Sequence, residues 1–336
     1  MIFELVQSHD SLGGITEIKA DPTQISPFVS RDSMYKFVLG SLDQAIANLG
    51  KAGSGFYFTL PPGFAGFNTP ATFAKFVQAM KAKAEVYYAP IGGGSTAWQA
   101  ALTALGASFL NASASSRAQL DAGVYDTYGA SPDSPNSLTQ ATNTNLYGHM
   151  SLQRDAQLKA DGKPDDRYTA KVRTGLPPRA GPVANGGPTT ETTTIGFSIW
   201  PAQNSSIPII RNEELILLRA EARLGTGDKA GAIADLNQVR TTSGGLPSTT
   251  LTASSSNDAI LEGILYEKRY SLLMEGDRWP DMRRYGKLSE LPLDVASGAN
   301  KNFVAIVNPI PQAECLVRVK LGPEFQGPNG LNDCAP

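Results

Sequence analysis

"RNEELILLRAEARLGTGDKAGAIADLNQVR" occupies residues 211–240. Its first half repeats apolar residues at Leu215, Leu217, Leu218, Ala220, Ala222 and Leu224, and its second at Ile233, Leu236 and Val239. Steps of three and four put such residues on one side of an α-helix. Between the halves, "GTGD" supplies turn glycines and Asp228, a residue type that caps helix N-termini. The spacing therefore predicts an antiparallel helix pair broken near Gly225 to Asp228, each helix burying its stripe on the other.

The same period extends outward. Residues 31–49 carry Met34, Phe37, Val38, Leu42, Ala45, Ile46 and Leu49 at helical spacing, with Asp32 or Ser33 as the expected cap. Residues 69–89 open on Thr69 and Pro70, a cap and first-turn signal, and continue through Phe73, Phe76, Val77, Met80, Ala84 and Tyr87. After "GGGS", residues 96–110 place Trp98, Ala101, Leu102 and Leu105 on one face, and a further helix is expected from Asp258 to Met274. From residue 111 to 206 the pattern dissolves into Ser, Thr, Asn, Gly and Pro. There "YTAKVRTG" and "TIGFSIW" alternate enough for a little strand. The fold class is thus mainly α: helix pairs of tetratricopeptide-like packing, long loops and little strand, without the strict repeat of a regular solenoid.

Composition narrows the function. With 29 Lys+Arg against 31 Asp+Glu the formal charge is −2, so no basic field exists to recruit nucleic acid. The longest apolar runs fall well short of the ~20 residues that span a bilayer. "MIFELVQSHDSLGG" has neither the basic leader nor the long apolar core of a signal peptide. Cys315 and Cys334 are the two cysteines; they permit a tail-closing disulfide in an oxidising compartment and cannot make a zinc cluster. With His9 and His149 the only histidines, and no Gly-x-Ser-x-Gly or His-Glu-x-x-His, nucleophilic triads and zinc hydrolysis lack their parts. No cofactor motif is present, since "IGGGS" lacks the Lys of a phosphate loop.

Three ordered motifs carry a resemblance. The opening stretch supplies Arg211, Glu213, Glu214, Leu215 and Arg219 to Ala222, then Gly227, Asp228, Ala232, Leu236, Asn237 and Arg240. "YEKRYSLLMEGDRWPDMRRYGKL" supplies Glu275, Gly276, Arg278, Trp279, Asp281, Arg284 and Gly286, and "NPIPQAE" supplies Pro309, Ile310, Pro311 and Glu314. In this order they resemble the SusD/RagB family of outer-membrane nutrient-binding lipoproteins, closely over 207–315 and more weakly over 31–110. Ser271 and Pro280 depart from the family's pattern.

The resemblance implies one SusD-like domain over 1–336: N-terminal helices at 31–110, a loop-rich excursion at 111–206 and the motif region at 207–336. Members are usually longer and carry a lipidated cysteine leader, so an N-terminally shortened chain is expected. It also implies capture of a nutrient, usually a glycan, at the cell surface, and its delivery to a SusC-like TonB-dependent transporter with no bond broken. The rival reading is a helical-repeat scaffold for peptides or proteins.

Two residue groups need assignment. Glu275, Asp281 and their acidic neighbours lie among Arg278, Arg283 and Arg284, whose charges would hold them ionised, so a raised-pKa glycosidase acid is not expected. Glu275, Arg278, Trp279, Asp281 and Arg284 read as structural. "FYFTLPPGFAGF" (56–67) and "YDTY" (125–128) instead place aromatic rings in loops, where binding residues concentrate. The loops either bury the rings against the helices or present some of them. Extended backbone sends Tyr57 away from Phe56 and Phe58, so Tyr57, Tyr125 and Tyr128 are the binding candidates, each with a stacking face and a hydroxyl.

Overall fold

The computed structural model describes residues 2–17, 19–21, 23–129, 134–140, 146–180, 192–295 and 301–335. Its helices are α1 (Ile2–His9), α2 (Arg31–Leu49), α3 (Pro70–Tyr88), α4 (Gly94–Ala107), α5 (Arg117–Leu120), α6 (Ser151–Arg154), α7 (Asp166–Lys171), α8 (Asn212–Gly225), α9 (Lys229–Gly244), α10 (Asn257–Ser271), α11 (Arg278–Arg284) and α12 (Gln312–Arg318). The architecture is mainly α, of tetratricopeptide-like helix pairs: α2 packs on α3, α3 on α4 and α8 on α9, with α4 and α10 both against α8. No described helix is long and apolar enough to cross a membrane.

Local chemistry sets these boundaries. Asp228 accepts a hydrogen bond from the Gly231 amide at 2.9 Å and starts α9 where the turn was expected. Thr69 and Thr72 form a reciprocal capping box at α3, with Pro70 in the first turn. At α2 the expectation is corrected. Ser30, not Asp32 or Ser33, is the cap and accepts from the Ser33 amide at 3.2 Å. Asp32 is drawn outward instead, pairing with Lys36 at 2.8 Å and accepting from the Tyr88 hydroxyl. Phe37 is also exposed, because α2 covers α3 mainly through Met34, Tyr35 and Val38 in its first turns.

Helix α8 sits at the centre. Leu215, Ile216, Leu217, Leu218, Ala220 and Ala222 are all buried, so its apolar surface exceeds one stripe. Leu215, Leu218 and Ala222 join the cluster built on α2, α3 and α4. Ala220 and Leu224 face Ala232, Ile233 and Leu236 of α9 and Ile260 and Ile264 of α10. The α8–α4 approach is close: a Cβ on Gly225 would fall 2.4 Å from the Trp98 indole.

Strand is sparse. β1 (Gly123–Asp126) pairs antiparallel with β6 (Ile207–Arg211), which runs straight into α8. The expected short pairing is present as β2 (Val172–Arg173) with β5 (Gly196–Phe197), and β3 (Arg179–Ala180) pairs with β4 (Thr192–Thr193). Helices α5, α6 and α7 lie in the region read as loop; at four to six residues they are too short to establish a period. At the chain's end Cys315 of α12 is disulfide-bonded to Cys334, and the Ile310 amide donates to the Asp333 carbonyl at 2.7 Å.

Candidate ligand-binding surface

The aromatic loop divides its rings between core and solvent. Phe56 stacks on Phe58 at 5.1 Å and meets the edge of Phe73 on α3; Phe64 stacks on Phe73 at 5.7 Å; Phe67 packs edge-on to Phe109 at 4.8 Å. Tyr57 points away from all of them and is fully exposed, and Phe58 beside it is 64% exposed. Phe56, Phe64 and Phe67 thus pin the loop to the helices, while Tyr57 is left to solvent on a braced backbone.

Tyr125 sits on β1, half-buried, and its hydroxyl donates to the Asp121 carbonyl at 2.5 Å. Burial raises that phenol to about 12, so it stays a neutral donor. Tyr128, just beyond the strand, is also half-buried. The loop and the strand come together at Gly63, where a Cβ would lie 1.8 Å from the Tyr125 carbonyl oxygen. Only glycine allows that approach. Tyr57 stands on open surface, whereas Tyr125 lines a cavity of about 330 Å³ with Arg117, Lys171, Trp200, Arg211 and Glu275.

That cavity is charged in a way the sequence did not signal. Arg211 donates to Glu275 at 2.9 Å and to Glu213, and Arg117 grips Asp121 through two bonds of 2.6 and 2.7 Å. Lys171 donates to the Tyr270 carbonyl at 3.0 Å and to that of Ser271. Burial, with Arg211 beside it, pushes the Lys171 amine down to about 8. Glu275 therefore belongs to this wall, and Lys171, set at the end of a short helix in the excursion, had no periodic signal to single it out.

Asp281 and Arg284 lie in a second, buried network. Lys268 donates to Glu221 at 2.9 Å and to Asp281 at 2.8 Å; Arg284 donates to Asp281 at 2.7 Å and to Glu221. The Tyr285 hydroxyl completes Glu221 at 2.6 Å. Nearby, Lys83 bridges Glu214 at 2.7 Å and Asp277 at 2.9 Å, and the Tyr87 hydroxyl donates to Asp277 at 2.7 Å. The Arg284 guanidinium lies over the Tyr87 ring at 4.5 Å. Arg278 and Trp279 face elsewhere: the Trp279 Nε1 donates to the Ala305 carbonyl at 2.7 Å, and both residues line a separate cavity of about 410 Å³.

A sequence profile of the SusD family matches residues 114–316. Comparison with curated proteins finds no match. Among solved structures, the chain resembles a SusD-like protein from Bacteroides fragilis NCTC 9343 at TM-score 0.62 and 16% identity, over 92% of this chain and 74% of that one. It resembles B. fragilis NanU at TM-score 0.59 and 16% identity, over 97% of this chain and 75% of the other. A SusD-like carbohydrate binding protein from Bacteroides fragilis NCTC 9343 matches at TM-score 0.59 and 16% identity, over 89% and 68%. Other matches extend to a solved chain of which this one spans 61%. At these identities the likeness is one of fold.

Proposed function

The chain belongs to the SusD family, and from that premise we propose that it captures a nutrient, in our reading a glycan, and delivers it to a SusC-like TonB-dependent transporter without breaking a bond. In this reading the whole of 1–336 acts as one SusD-like unit held at the outer face of the outer membrane by a lipid anchor in the full-length form.

The observation that carries the proposal is Tyr57: a fully exposed ring beside the largely exposed Phe58, on a loop whose Phe56, Phe64 and Phe67 pack against other rings. An apolar ring held in water has no folding role, and a rigid aromatic face is what the C–H surface of a sugar needs. Tyr125, in the wall of its own cavity, and Tyr128 are further candidates. The mixed-sign network around Asp281 supports a structural role for that residue and Arg284, since its carboxylates are held by Lys268 and Arg284 and not presented to a substrate.

Isothermal titration against a panel of neutral oligosaccharides tests the ligand class, and co-purification from detergent-solubilised outer membrane tests the partner. Binding to at least one oligosaccharide and recovery with a TonB-dependent barrel are expected. Peptide binding in a helical groove, with no sugar binding, would replace this reading with the scaffold.

A further inference from the structure

The motif arginines do not share one fate. Arg284 meets Asp281 and Glu221, Arg211 meets Glu213 and Glu275, and Arg240 meets Glu267. Arg278 differs. Among the described residues no carboxylate lies within ion-pair distance of it, and its hydrogen bond runs from Nη1 to the Leu265 carbonyl at 3.2 Å. A guanidinium carries five N–H donors in a planar fork, so most of its capacity is unused although it is half-buried.

The unused donors border a cavity. Arg278 and Trp279 at the start of α11, Arg269 of α10, Arg154 of α6, and Leu273 and Met274 of the intervening turn enclose about 410 Å³. Its acids are already engaged: Asp155 accepts from Arg269 at 2.8 Å and from Arg154 at 3.1 Å, and Glu290 from Lys287 at 3.2 Å. Among the described lining residues both carboxylates are thus engaged by other cations, and neither by Arg278. Burial, and then the charge of Arg269, disfavour the Arg278 cation, a penalty that a bound anion would relieve. Leu272, Leu291, Pro292 and Trp279 give the wall an apolar part, next to the polar His149 and Ser151. It also holds Met274 at φ 64°, a left-handed conformation that a non-glycine residue keeps only where its surroundings impose it.

We propose that this cavity is a second binding site, which takes a sugar ring bearing an anionic group, a carboxylate or a sulfate ester, with Arg278 as the anchor for the anion. A guanidinium fork matches both groups in two-point geometry, and the apolar wall beside Trp279 suits a ring face. That the ligand is a saccharide rests on the nutrient-binding reading; that it is anionic rests on Arg278.

The test titrates the full chain with trigalacturonate and its methyl ester, and with a sulfated disaccharide and its unsulfated counterpart, at two salt concentrations. At least one acidic probe should bind about tenfold more tightly than its neutral counterpart, with an advantage that shrinks as salt rises. Arg278→Gln should erase the advantage, the acidic probe falling to the affinity of its neutral counterpart. Arg154→Ala, at a side chain that is 63% exposed, should reduce it several-fold. The proposal is overturned if neither acid outbinds its neutral counterpart, a comparison that needs no variant, or if a folded Arg278→Gln keeps the preference. Neutral sugars bound without any acidic preference would remove this site alone; no saccharide bound at all would remove the nutrient reading with it.

Discussion

Lys268 on α10 and Asp281 on α11 lie 2.8 Å apart with 2% and 1% of their side chains exposed. Each is shared: Lys268 also holds Glu221 on α8, and Asp281 also holds Arg284. The motif acid and the central helix are thereby fixed to one another by direct ion pairs. Asp281→Asn would leave Lys268 and Arg284 competing for Glu221, and an uncompensated buried charge costs about 3–5 kcal/mol. Chemical denaturation should show a loss of that size. An unchanged midpoint together with lost ligand binding would instead make Asp281 a binding residue.

Glu85 on α3 is buried, and burial pushes its carboxyl up to about 7, with Lys81 opposing and Asp43 adding to the shift. Its folded pKa lies above the unfolded one, so the native state binds the proton more tightly. The stabilisation is complete below about 4.5, the ordinary glutamate value, and is lost as pH rises through about 7. Glu85→Gln removes this titration. Its stability relative to the parent should therefore improve between pH 5 and 8, measured as denaturation midpoints at both. Parallel pH profiles would exclude a buried, proton-holding Glu85.

Leu236 has no exposed surface and sits among Ala220, Leu224, Ile233, Ile260 and Ile264; its Cδ1 would lie 2.7 Å from a Cβ on Gly263. Truncation to Ala leaves a cavity between three helices and should cost about 2–5 kcal/mol. A thermal melt unchanged by Leu236→Ala would contradict this packing.

What the sequence made legible follows the range of its signals. The α8–α9 pair could be read because period, turn glycines and the Asp228 cap all act within 30 residues. The partners of its charges could not. Glu221 of α8 meets Lys268 across 47 positions, and no local pattern encodes such a contact. The cap of α2 is not decided locally, because Ser30, Asp32 and Ser33 are all competent caps, and Tyr88, brought near only by folding, draws Asp32 away. Arg278 shows the limit of reading a motif by composition. Mixed signs in "EGDRWPDMRR" imply mutual neutralisation, yet the helix turns Arg278 from the acids that Arg284 meets.

Tyr57 and Tyr125 should separate binding from folding. Tyr57 touches none of the packed rings and is fully exposed, so Tyr57→Ala should leave the melting temperature unchanged. If it is the stacking platform, oligosaccharide affinity should fall by roughly fivefold, the effect of an aromatic contact worth about 1 kcal/mol. Tyr125 is half-buried on β1 and its hydroxyl closes a bond to the Asp121 carbonyl, so Tyr125→Phe should cost about 1 kcal/mol of stability whatever it does to binding. Titration calorimetry and melts on the same preparations decide between them. Full affinity in Tyr57→Ala would move the site off this loop, towards the cavity that Tyr125 shares with Lys171 and Arg211.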